Sequence, residues 1–138
     1  MSFNIGSKTS ATTNSITVSA IPMFLEDQSS SQKEFFVWAY NIEIVNQGVD
    51  AVKLTNRHWQ VVDANGQLIE VVGEGVVGEQ PVIEPLATYR YSSGTYLKTP
   101  SGMMYGTYTM HSLKDDEVFE VKIPGFSLDS PYDKHTLS

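Results

Sequence analysis

The sequence has no cysteine among its 138 residues, which excludes a disulfide, a thiolate nucleophile and a cysteine-based zinc site. Basic residues are also scarce: nine lysines and arginines stand against sixteen aspartates and glutamates, a net charge of −7. Because nucleic-acid binding needs clustered basic side chains, this charge predicts no nucleic-acid partner. No apolar run approaches the roughly 18 residues of a transmembrane helix, and no apolar signal core begins the chain. We therefore expect a cytoplasmic protein without membrane contact.

Long amphipathic helical patterns are missing as well, and period-two alternation takes their place. In the segment 35–46 the large apolar residues occupy alternate positions, which indicates one face of a strand: Phe36, Trp38, Tyr40, Ile42 and Ile44. Seven or eight such short segments recur between turn signals along the chain. The pattern predicts an all-β fold, an antiparallel two-sheet β-sandwich similar to fibronectin type III and immunoglobulin domains.

The same pattern gives expectations for the core and for the ends of the chain. Seven residues are expected to face inward: Trp38, Tyr40, Ile42, Trp59, Tyr108, Phe119 and Val121. The segment around Tyr108 is typical of a tyrosine corner on the penultimate strand. Residues 1–138 are predicted to form one domain. Within it, 129–138 should be extended or frayed, and 1–14 should be loose or lie along a sheet edge.

The segment 52–63 is predicted to be one strand, interrupted by a bulge near Asn56. Asn65-Gly66 then predicts a tight hairpin, with the strand 67–72 returning antiparallel to the segment 59–63. On a regular strand Arg57 shares the face of Trp59. Arg57 should therefore reach an edge or pair with a carboxylate, and Arg57 and His58 form a candidate functional surface.

Three glycines follow in the spacing G-x-G-x-x-G, in the candidate binding loop formed by Gly73, Glu74, Gly75, Val76, Val77, Gly78 and Glu79. A dinucleotide site needs a helix after this motif, and Pro81 and Pro85 argue against one. No lysine or arginine lies between Arg57 and Arg90. We therefore expect an exposed loop that docks a protein partner, with Val76 and Val77 as its apolar centre if they point outward.

No other cluster predicts chemistry, so we expect no catalytic residue, no metal site and no cofactor. The histidines His58, His111 and His135 do not share the spacing of metal ligands. The run 115–117 lacks the alternating ligands and the glycine of a calcium loop, so a solvated turn is expected there. Neither serine-glycine pair has the pattern of a nucleophile elbow.

Several segments together resemble the bacterial ApaG family. They are FVWAYNIEIVNQG at 36–48, VKLTNRHWQVVDANG at 52–66, IEVVGEGVVGEQPVIEP at 69–85, YRYSSGTYLKTPSGMMYGTYTM at 89–110 and FEVKIPGFSLDSP at 119–131. The resemblance implies a single fibronectin type III-like domain. Related domains in eukaryotic F-box proteins and in a DNA-polymerase-delta-interacting protein look like protein-interaction modules. The bacterial family label implies an indirect link to cobalt resistance and magnesium efflux.

Two hypotheses follow for the function. The first is a non-catalytic protein-interaction module with an unidentified protein partner, in which self-association is left open. The second is a small-ligand protein that binds a nucleotide, pyrophosphate or a divalent cation at the glycine motif, as has been suggested for the family. The missing helix, the flanking glutamates and the absence of nearby basic residues favour the first hypothesis.

Overall fold

The computed structural model describes residues 3–133, which form ten β-strands and one 3₁₀ turn at Glu26–Gln28. The strands are β1 (Phe3–Ile5), β2 (Thr9–Thr13), β3 (Ile16–Leu25), β4 (Phe36–Asn46), β5 (Val52–Asp63), β6 (Leu68–Glu74), β7 (Val82–Ile83), β8 (Thr88–Leu97), β9 (Gly102–Ser112) and β10 (Val118–Leu128). Among these residues no helix has the length and apolar character needed to cross a membrane.

The strands form two five-stranded antiparallel sheets. Sheet I has the order β1-β3-β4-β8, with β2 also paired to β3, and sheet II has the order β10-β9-β5-β6, with β7 also paired to β5. Their inner faces enclose one hydrophobic core, in which Tyr40 of sheet I packs against Trp59 of sheet II with ring centroids 5.3 Å apart. The predicted antiparallel two-sheet β-sandwich is therefore confirmed.

Six of the seven residues expected to face inward are buried, and the seventh, Phe119, is half-buried against the core. Trp38 is fully buried. It packs edge-on against Phe24, and its indole N–H donates to the Asp129 carbonyl at 2.8 Å. The period-two alternation therefore identified the core face correctly, because neighbouring residues of a strand point to opposite faces.

Strand β5 has the predicted bulge, and the hairpin after it is antiparallel as expected. The register against β9 shifts between Leu54 and Asn56. This shift moves the buried side from the even-numbered Leu54 to the odd-numbered Trp59. The hairpin loop is one residue longer than a two-residue turn: Asp63 N–H donates to the Gln67 carbonyl, and only Gly66 has a positive φ, of 81°.

Residues near both ends of the described range pair or pack with the sandwich, which agrees with the expected position of part of 1–14 along a sheet edge. Thr9–Thr13 forms strand β2 along the edge of β3, where the Ser10 and Thr12 hydroxyls bond to Ser19 and Thr17. At the other end, β10 continues past a bulge to Leu128, and Tyr132 packs against Phe24. Residues 134–138 of the expected tail lie outside the described residues. Strand β2 is paired through serine and threonine residues, and Tyr132 makes a single aromatic contact. Neither produces an alternation of apolar residues in the sequence, so the period-two pattern does not reveal them.

The expected tyrosine corner is not formed. Tyr108 does lie on the penultimate strand, and it is buried. Its hydroxyl, however, bonds to the hydroxyl of Tyr91 on the opposite sheet, whereas a tyrosine corner bonds to nearby main chain. Tyr108 therefore joins the two sheets.

Candidate functional site

The glycine motif begins as the end of a strand and closes as a tight turn. Gly73 and Glu74 belong to β6, and Gly75 leaves the strand with a φ of 63° while its N–H donates to the Thr55 carbonyl at 2.7 Å. Val76 and Glu79 then exchange two main-chain hydrogen bonds of 2.8 and 2.9 Å. The exposed loop expected from the sequence is therefore a small hairpin.

The two residues at the tip of this hairpin both have left-handed backbones, with φ values of 47° at Val77 and 80° at Gly78. Two successive positive φ values define the type I′ turn, which joins adjacent antiparallel residues with little splay. Val77 is 61% exposed, whereas Val76 is fully buried in the core. The condition for an apolar contact centre, that the valines point outward, is met by Val77 but not by Val76, because the hairpin folds Val76 inward.

Arg57 lies against the motif, because β5 pairs with β6 and places Arg57 opposite Gly73. Its Nη1 donates to the carbonyls of Glu74 and Gly75 at 3.0 and 2.9 Å. Of the two expectations for Arg57, reaching an edge or pairing with a carboxylate, the structure shows the first, because Arg57 bonds to main chain at the end of the edge strand β6. A Cβ at Gly73 would lie 2.9 Å from the guanidinium, so a side chain there would require Arg57 to shift. The motif therefore has a cation beside it, which the spacing along the chain did not indicate.

The three glycines are needed for three different reasons. Gly73 gives space to Arg57, and Gly75 both has a positive φ and would place a Cβ 2.1 Å from the Glu79 carbonyl oxygen. Gly78 has open space around it, so only its positive φ favours glycine. This division explains the spacing by local geometry alone, without a bound phosphate.

His58 faces away from Arg57, on the outer face of sheet II. Its Nε2 lies 2.9 Å from an Oε2 carboxylate oxygen of Glu70, and both side chains are close to half exposed. The structure therefore separates the two residues of the predicted surface: Arg57 joins the glycine hairpin, and His58 forms an exposed pair with a carboxylate.

Tyrosines continue the site from the hairpin into the space between the sheets. The Tyr89 hydroxyl donates to Glu79 Oε1 at 2.7 Å, and Tyr91 bonds to Tyr108. Desolvation, followed by the hydrogen bond to Glu79 and its charge, raises the pKa of Tyr89 to about 12. Burial also raises the pKa of Tyr91 and of Tyr108. These phenols therefore keep their protons at neutral pH: Tyr89 donates to Glu79, and one of Tyr91 and Tyr108 donates to the other.

Tyr89 and Tyr91 were not among the candidate site residues of the sequence analysis, although they alternate along the segment that forms β8. The alternation of Tyr89 and Tyr91 is the one sequence feature that could have indicated their position. It places both on the inner face of β8, opposite Ile44 and Ile42. The contact between Tyr89 and Glu79 links β8 of sheet I to the glycine hairpin, and no pattern along the chain shows it.

The remaining candidate ligands do not converge. Asp115 Oδ1 accepts the Glu117 N–H at 3.0 Å in a local turn, and His111 lies on β9. Within residues 3–133 no three His, Asp or Glu side chains are grouped so that they could hold a metal ion.

The comparisons with known proteins agree on one family. The ApaG domain model matches residues 26–112. Protein ApaG of Paramagnetospirillum magneticum is 52% identical over 129 residues, which cover 94% of this chain and 98% of that protein, and Protein ApaG of Brucella suis is 49% identical over the same shares. The crystal structure of a protein described as ApaA from Bordetella pertussis is 38% identical, with a TM-score of 0.82, over 86% of this chain and 95% of that one.

Proposed function

This chain belongs to the ApaG family, and from that premise we propose that it is a non-catalytic protein-interaction domain whose partner contacts the glycine hairpin. The observation that carries the proposal is Val77. This apolar side chain is 61% exposed at the tip of the hairpin and has a left-handed φ of 47°. The partner is defined only by the surface of this chain that it would contact, the tip of the glycine hairpin.

A left-handed backbone is unfavourable for valine, because its branched Cβ crowds the neighbouring carbonyl. Such a residue costs on the order of 1–3 kcal/mol and persists only where the surroundings hold it. Here the Val76–Glu79 hydrogen bonds and Arg57 fix the hairpin from both sides. A strained apolar residue held outward on a rigid support suits a docking contact better than it suits the stability of the fold.

Three main-chain N–H groups of the motif, at Gly75, Val76 and Glu79, already donate to carbonyls. A phosphate-binding nest needs several such groups free and pointing at one anion. Glu74 and Glu79 add negative charge beside the turn. One observation supports the alternative of a nucleotide or pyrophosphate ligand: the Arg57 guanidinium lies at the motif. Because that guanidinium already bonds to two carbonyls, we favour the protein partner.

We propose no enzymatic activity, since the phenols beside the hairpin keep their protons and bond to one another or to a carboxylate. The connection with cobalt resistance and magnesium efflux that the family label implies would then act through the partner. A cytoplasmic location remains part of the proposal, and cell fractionation would test it.

The test is affinity capture of the tagged protein from its own cells, with Val77→Ser compared with Leu86→Ser. Leu86 is a matched control, because it is also an exposed apolar residue with a positive φ, of 67°, in a different turn. We expect Val77→Ser to lose a captured protein that Leu86→Ser keeps.

Titration with ATP, NAD and diadenosine tetraphosphate, followed by NMR, tests the alternative of a nucleotide ligand. Saturable amide shifts at residues 73–78 with micromolar nucleotide would contradict the docking proposal.

A further inference from the structure

The two sides of the sandwich are closed to different extents. On one side β10 packs against β2 and β3, and the Lys122 N–H donates to the Thr13 hydroxyl at 3.2 Å. On the other side β8 ends sheet I and β6 ends sheet II. An edge strand presents main-chain N–H and C=O groups on its outer side, which can pair with another strand.

Strand β8 covers only part of the inner face of β6. Ile69 and Val71 pair with Val61 and Trp59, which are buried, so all four side chains point to the inner face of sheet II. Yet Ile69 remains 46% exposed and Val71 42% exposed. A further strand beside β8 in sheet I would cover both residues, and none occupies that place among residues 3–133.

A groove marks the place of this missing strand. It has a volume of about 390 Å³ and lies between Ile69 and Val71 on one wall and Thr95 and Leu97 of β8 on the other, with Val61 also lining it. This volume falls at the lower end of the range for ligand sites, roughly 300–1,000 Å³, and can hold a few side chains. Most of the exposed lining is apolar, as alternate side chains of a strand would require.

We propose that this groove, the β6–β8 groove, binds an extended, basic segment of a partner protein, which adds a strand to β8. The unpaired edge of β8 supplies main-chain hydrogen bonds, and Ile69 and Val71 receive alternate apolar side chains of the segment. The proposal rests on the proposed function, that this domain binds protein, and names a surface next to the hairpin together with the kind of segment that fits it.

The charge of the chain selects the occupant. The groove itself is lined by one carboxylate, Asp63, and one lysine, Lys98, while Glu70 and Glu74 lie on the outer face of the β5–β6 hairpin. The whole chain has a net charge of −7, so a second copy would be repelled and a basic segment attracted. Strand β8, whose edge would pair with the segment, has no lysine and no proline, the residues that commonly protect an edge strand. A basic segment with apolar residues at alternate positions meets these conditions.

The experiment uses a labelled nine-residue peptide with valine at alternate positions and lysine or threonine between them. A matched peptide with proline at the centre cannot form a continuous strand. The protein variants are Val71→Lys and Val72→Lys. Both place one positive charge on β6, but Val72 is 69% exposed and lies opposite His58, on the outer face. Ile69→Lys is a second groove variant in case Val71→Lys fails to fold, which circular dichroism would show.

We expect saturable binding of the alternating peptide, with NMR shifts at residues 95–97 and at Ile69. Val71→Lys should weaken this binding at least about tenfold more than Val72→Lys does, because only the former places a charge in the groove. The proline peptide should bind much more weakly. Equal effects of the two lysine variants, equal binding of the two peptides or no saturable binding below about 1 mM would each overturn the proposal.

Sedimentation of the free protein tests the remaining candidate occupant of the groove, a second copy of this chain. A stable dimer that Val71→Lys dissociates and Val72→Lys leaves intact would show that a second copy fills the groove, and it would overturn the assignment to a partner. The cell-capture experiment stays independent of these results. If Val77→Ser loses its partner while the peptide fails to bind the groove, the interaction role holds and only the β6–β8 groove is wrong.

Discussion

Replacing Val77 with glycine should make the protein more stable, although it removes a side chain. A left-handed backbone costs an L-residue roughly 1–2 kcal/mol, and Val77 is in this region with a φ of 47°. Glycine relieves that strain but adds freedom to the unfolded chain, which costs about 0.4–1 kcal/mol. Because the Val77 side chain is mostly exposed, little burial is lost. The net expectation is a gain of about 0.5–1 kcal/mol.

Urea unfolding of Val77→Gly against the wild type measures this gain as a shift in midpoint at an unchanged slope. The adjacent Gly78→Ala is the matched control with the opposite sign. Gly78 has a φ of 80°, and no heavy atom lies within 4 Å of the position that an alanine Cβ would take, so only backbone strain opposes alanine. We expect a loss of about 1 kcal/mol there.

A destabilised Val77→Gly would refute the argument, because Val77 would then be stabilising the fold through contacts that outweigh its backbone strain. A neutral Gly78→Ala would show that this turn relaxes at no cost. If both results follow expectation and Val77→Gly also loses its captured partner, stability and binding oppose each other at one residue. That opposition is common where a strained residue serves function.

Three further changes test other contacts. Trp38→Ala should cost about 3–5 kcal/mol in urea unfolding, since Trp38 is fully buried, and a loss below about 1 kcal/mol would contradict its place in the core. Arg57→Met should cost about 1–2 kcal/mol and speed hydrogen exchange at Glu79, because two hydrogen bonds from a charged donor are lost; unchanged exchange would contradict the role of Arg57. Tyr89 has a folded pKa raised above its ordinary value of 10, so its contribution to stability is complete below pH 10 and is lost as the pH rises towards 12. Ultraviolet titration should show one fewer late-titrating phenol in Tyr89→Phe, and loss of a phenol that titrates near pH 10 instead would contradict the bond to Glu79.

The sandwich, the inner face of its strands and the bulge in β5 could be predicted because they depend on neighbours in the sequence. Alternation of apolar residues determines which face of β4 is buried, and Asn65-Gly66 marks a hairpin whatever surrounds it. Val76 and Val77 show the limit of such reasoning. They are adjacent and identical, yet one is buried and the other exposed, because the Val76–Glu79 hydrogen bonds fold a second, smaller hairpin. A valine in the left-handed region is uncommon, so turn statistics would not have placed one there.

The charge beside the glycine motif shows why distance along the sequence is a poor guide to the surroundings of a site. Arg57 is sixteen residues before Gly73 in the sequence but directly opposite it in the sheet. The positive charge of Arg57 would favour binding of an anion beside the motif if the guanidinium were free. Because Nη1 instead donates to the carbonyls of Glu74 and Gly75, the charge holds the hairpin in shape, while the main-chain N–H groups of Gly75, Val76 and Glu79 are taken up inside the fold. A G-x-G-x-x-G motif followed by a helix directs N–H groups at a phosphate. The same spacing here directs carbonyls at an arginine and a valine at the solvent, a geometry that suits a contact surface for another protein.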